Sequence, residues 1–96
     1  MKWKVREDVQ RKRVTNEELL FDPATEQFHF LNETAAFIYG ACTGSNSIED
    51  ISAALSAEYS VEASQALVDV ERVIHELAEL GVLENVSSEI AAPPLT

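Results

Sequence analysis

Cysteine is nearly absent from this 96-residue chain: Cys42 stands alone, so no internal disulfide can form. That points to a reducing compartment, and cytoplasmic residence is the expectation. Histidine is almost as scarce, with His29 and His75 only, and no His-x-x-x-His or Cys-x-x-Cys pair occurs. A zinc site has no spacing to rest on. Three isolated glycines, Gly40, Gly44 and Gly81, cannot build a phosphate-cradling loop. No run of 18 apolar residues exists, so a spanning helix is excluded. The opening Met1–Asp8 stretch lacks the apolar core of a secretory signal. After Arg13 the only base is Arg72, so the body is strongly acidic and repels phosphate backbones.

What is present suits one small α+β domain, with 46% apolar and 25% charged residues. A chain this short buries only about 60–65% of its unfolded surface, which leaves room for one core and little for a deep catalytic cavity. The domain is expected over residues 1–86. Residues 87–96, with Pro93-Pro94 and no helical pattern, read as a flexible tail. Net charge is −10, yet Lys2, Lys4, Arg6, Arg11, Lys12 and Arg13 all lie in the first thirteen residues. That basic arm reads as a solvated strand with charged outward positions.

Strand signals fill the first third. Glu18-Leu19-Leu20-Phe21 ends at the turn signal Asp22-Pro23, and Gln27-Phe28-His29-Phe30-Leu31 follows as a second apolar run, so the two predict a hairpin. Asp8–Val14 is a weaker strand, because Val9 and Val14 do not alternate strictly. Helix signals fill the rest. Asn32 suits an N-cap before Ala35-Ala36-Phe37-Ile38-Tyr39, with Gly44 as the stop. Ser47 and Asp50 form a Ser-x-x-Asp capping box before an apolar row of Ile48, Ile51, Leu55 and Tyr59. A third helix spans about Ala63–Leu80, with Leu67, Val70, Ile74 and Leu77 buried and Gly81 ending it.

No constellation supplies a nucleophile, a base and an oxyanion donor together, so the chain does not read as an enzyme and no cofactor is expected. An acyl-carrier attachment site is not met, since Ser47 lies between Asn46 and Ile48 rather than in Asp-Ser-Leu. The helical rhythm is that of a winged helix-turn-helix. Yet the helix that would enter a DNA groove carries Asp69, Glu71, Glu76 and Glu79. A nucleic-acid-binding regulator is therefore the second reading, and no nucleic-acid partner is expected.

The pattern Leu19-Leu20-Phe21-Asp22-Pro23, then Phe28 through Tyr39, Gly44, the Ser47–Tyr59 helix, Asp69-Val70 and Leu77–Leu83 resembles the pyrroloquinoline quinone biosynthesis protein D family, the PqqD-like peptide chaperones. Leu31-Asn32-Glu33-Thr34-Ala35-Ala36 is its specific part. Tyr39 stands where that family often has Trp, and Thr43 where it often has Asp. The resemblance implies three N-terminal antiparallel strands on three helices. It also implies a RiPP recognition element, which binds the leader of a ribosomally made precursor peptide and presents it to a modifying enzyme, often a radical S-adenosylmethionine enzyme. If Gln27–Leu31 is a sheet edge, a peptide can add beside it as a strand. The expected peptide-binding residues are Gln27, Phe28, His29, Phe30 and Leu31 on that edge, with Asp69, Arg72, Val73 and Glu76 on the facing helix. The same edge could pair with a second copy as a homodimer.

Overall fold

The computed structural model describes residues 2–86, so the expected tail at 87–96 lies outside the described residues. Its elements in chain order are β1 (Lys2–Val5), β2 (Gln10–Val14), β3 (Glu17–Asp22), β4 (Gln27–Leu31), α1 (Glu33–Ala41), β5 (Thr43–Ser47), α2 (Ile48–Tyr59), α3 (Ala63–Glu79) and β6 (Leu83–Asn85). The class is α+β and winged helix-turn-helix-like, with three helices and two three-stranded antiparallel sheets among the described residues.

The first sheet, ordered β2-β3-β4, is the expected N-terminal one. Its register sets Gln10 beside Phe21 and Phe21 beside Phe28, while Lys12 meets Leu19 and Leu19 meets Phe30. Alternation then puts Leu20 and Leu31 on the helix side, where they are 0% and 4% exposed. The β3–β4 turn is tied by Asp22: its Oδ1 accepts the Ala24 amide at 3.0 Å and its carbonyl accepts the Glu26 amide at 2.7 Å.

A second sheet, ordered β5-β1-β6, was not expected. Two sequence expectations also change. The Asp8–Val14 strand begins only at Gln10; Val9 precedes it and is buried, which explains the missing alternation. Gly44 does not stop α1, because Cys42 caps that helix by donating its amide to the Tyr39 carbonyl at 3.1 Å. Gly44 instead lies inside β5 at φ +90°, a conformation glycine adopts without strain, with the Lys4 side chain packed against it.

The helical signals hold. Asn32 Oδ1 accepts the Ala35 amide at 2.9 Å, and both bonds of the Ser47–Asp50 capping box are formed at 3.0 Å. Gly81 follows α3 at φ +82°, its amide bonded to the Ala78 carbonyl at 3.0 Å. Val70, Ile74 and Leu77 are buried as expected, joined by Ala66 and Val73, while Leu67 is only partly covered.

Much of the basic arm is structural. Arg6 bridges the two sheets, donating to the buried Asp22 carboxylate at 3.0 Å and to the Gly81 carbonyl at 2.8 Å. Arg11 donates two bonds to the buried Glu18 at 3.1 and 3.2 Å and lies 5.0 Å above the Tyr39 ring.

Candidate functional site

β4 is an edge of its sheet, so among the described residues one row of its backbone amides and carbonyls has no strand partner. The opposite edge, β2, is exposed throughout and reads Gln-Arg-Lys-Arg-Val, a charged edge that discourages pairing. β4 has no such guard. Phe28 and Phe30 project to the outer face at 64% and 59% exposure, and Leu31 points inward. His29 shares the inner parity and is half-buried, with no hydrogen-bond partner for its buried Nε2 among the described residues.

Between β4 and α3 runs a groove of about 260 Å³, lined by residues that include Phe30, Leu31, Arg72, Val73 and Glu76. Five of the expected residues therefore converge. Val73 is buried and forms floor rather than rim. Arg72 and Glu76 are the only charged lining groups among the described residues, the Arg72 guanidinium lying 3.8 Å from both the Asp69 and Glu76 carboxylates. Gln27, Phe28, His29 and Asp69 do not line this groove. Phe28 packs on Phe21 with ring centroids 4.8 Å apart, beside a smaller hollow on the outer sheet face. Asp69 accepts a bond from Gln65 at 3.0 Å.

The sequence reading missed Asn32, Thr34, Ala35 and Leu80 as lining, and had Leu77 only as core. Leu80 was within reach: it continues the helical row Val73, Glu76, Leu77 at three- and four-residue steps. Asn32, Thr34 and Ala35 follow β4 directly, and their place depends on how α1 leaves the sheet.

The reactive side chains elsewhere are quenched by burial. It pushes the Cys42 thiol and the Tyr39 phenol up to about 12 each. The Cys42 thiol donates to the Ile38 carbonyl at 3.3 Å, and the Tyr39 hydroxyl to the Val82 carbonyl at 3.3 Å. Among the described residues no three His, Cys, Asp or Glu side chains converge as a metal-holding group.

Two solved structures share this architecture. TbiB1 in complex with the TbiA(beta) leader peptide has a TM-score of 0.77 at 24% identity, covering 85% of this chain and 95% of that one. Lasso peptide synthetase B1 complexed with the leader peptide has a TM-score of 0.76 at 25% identity, covering 88% of this chain and all of the other. A search of curated protein sequences finds no match. The family model for coenzyme PQQ synthesis protein D (PqqD) matches residues 17–83, from the start of β3 to the start of β6. The chain belongs to the PqqD family.

Proposed function

We propose that this chain is a non-catalytic peptide-recognition module, formed by residues 1–86, which binds the leader segment of a ribosomally made precursor peptide. The observation that carries this reading is the unguarded β4 edge lying along the α3 groove. Both similar structures hold a leader peptide, which supports it. The leader adds antiparallel or parallel to β4, and its backbone bonds supply affinity that tolerates sequence variation. Alternate leader side chains enter the groove, over the apolar floor of Leu31, Val73 and Leu77 and beside Arg72 and Glu76.

The partner that acts on the presented peptide is a peptide-modifying enzyme, of the radical S-adenosylmethionine class or another, meeting the complex in the cytoplasm. The exposed Glu71, Glu76 and Glu79 of α3 oppose nucleic acid. Among the described residues no helix is long and apolar enough to cross a membrane.

The test is titration of a synthetic leader, taken from a precursor frame neighbouring this gene, into the chain with proline at His29 or, separately, at Phe30. Adjacent β4 amides point to opposite sides, so one of the two prolines removes an outward amide and spares the β3 ladder. That variant keeps its fold and loses the leader. Unchanged affinity in both folded variants would overturn strand addition.

A further inference from the structure

The outer face of the β2-β3-β4 sheet is graded. Its β2 row presents Gln10, Lys12 and a single apolar Val14, 44% exposed, its β3 row the half-buried Leu19 and Phe21, and its β4 row the more exposed Phe28 and Phe30. The most exposed apolar side chains therefore sit at the free edge, not at the centre. A partner lying flat on a sheet is best served by an apolar centre with a polar rim. An apolar row along the edge instead matches side chains arriving from beside it, on an added strand. Phe30 also lines the α3 groove, so the outer row and the groove are continuous across β4.

We infer that the peptide bound at β4 is read on both faces: its alternate side chains fill the α3 groove, and the intervening ones cover Phe28 and Phe30. This rests on the leader-binding reading and states its ligand chemistry. The ligand is then a segment apolar at consecutive positions, about four across the length of β4, rather than a strand that alternates apolar with polar. Aromatic or β-branched residues suit the outer positions, because such side chains directly across a strand pair lie about 4.5–5.5 Å apart and attract.

The probe is a yeast-displayed library of random 12-residue peptides, selected against the full chain. Selected peptides are expected to carry four or more consecutive apolar residues. Phe28→Thr, Phe30→Thr and the double variant keep strand-compatible side chains at exposed sites, and melting curves confirm folding. The double variant should bind the selected peptides roughly 2–30-fold more weakly, the loss for two cross-strand pairs. Selection against it should return alternating sequences, with the groove-facing preference intact.

Alternating sequences selected by the wild type, bound equally by the double variant, would overturn two-faced reading and leave leader binding standing. A wild-type dimer that the double variant dissociates, seen by sedimentation, would assign the face to a second copy instead. Failure to select any peptide, with no affinity for the neighbouring leader, would remove the leader-binding reading and this inference together.

Discussion

Arg72→Ala is the substitution that most directly probes the groove chemistry. The Arg72 guanidinium is 59% exposed, and both of its carboxylate neighbours lie at 3.8 Å, longer than a hydrogen bond. Intrahelical pairs at three- and four-residue spacing contribute about 0.2–0.5 kcal/mol each. Losing both costs at most about 1 kcal/mol, and alanine's slightly better helix propensity offsets part of that. For a domain of this size, that corresponds to a melting temperature lower by no more than about 4–8 °C. The binding effect is larger for a leader with an acidic anchor. A hydrogen bond to a charged group contributes about 1.5–3 kcal/mol, and Arg72 gives up its loose pairs to form it. The net is about 1–2 kcal/mol, or roughly 5–30-fold in Kd. Glu76→Gln should move affinity the other way, since it releases Arg72 and removes a negative group from the groove lining. Calorimetric titration of one acidic leader peptide into the three proteins reads both effects, and raising salt should shrink them. Equal affinities for wild type and Arg72→Ala would refute the assignment of Arg72 to the site.

Other outcomes follow from the fold. Burial alone would raise the Asp22 carboxyl, but bonds from Arg6 and the Ala24 amide outweigh it and hold the group below its ordinary 3.8. Its contribution to stability is therefore complete above about pH 4 and lost as pH falls through the lower folded value. Melting temperature should drop on acidification in that window, and Asp22→Asn, less stable at neutral pH, should show a flatter profile there. Ser47→Ala removes the cap of α2 and should cost about 1 kcal/mol, read as a denaturant midpoint shift at constant slope. Cys42, 1% exposed and with its thiol pushed up to about 12, should resist thiol reagents in the native protein and react promptly once unfolded.

Local features are legible in the sequence. The hairpin from Glu17 to Leu31 was visible because Asp22-Pro23 interrupts two apolar runs, and pleat alternation alone separates Phe28 and Phe30 from Leu31. The start of α2 was visible because Ser47 and Asp50 cap the backbone within a single turn. The place of Gly44 was misread because a glycine after a helix and a glycine inside a strand at positive φ leave the same letter.

Local sequence sets the α+β class, the helix starts, the edge-strand candidate and the parity of its side chains, since each depends on neighbours a few positions away. Tertiary structure decided the second sheet. Thr-Gly-Ser-Asn-Ser has little intrinsic preference for a strand, and β5 exists because Lys2 pairs with Ser47 and Lys4 with Thr43. Arg6 and Arg11 likewise read as solvated charges until the fold brought Asp22, Glu18 and the Gly81 carbonyl to them. The groove was decided the same way. Its two walls, β4 and the second half of α3, lie some forty residues apart in the chain. Only the packing of α3 against α1 and α2 selects which helix row faces Phe30, making Val73 floor, Arg72 and Glu76 wall, and leaving Asp69 outside.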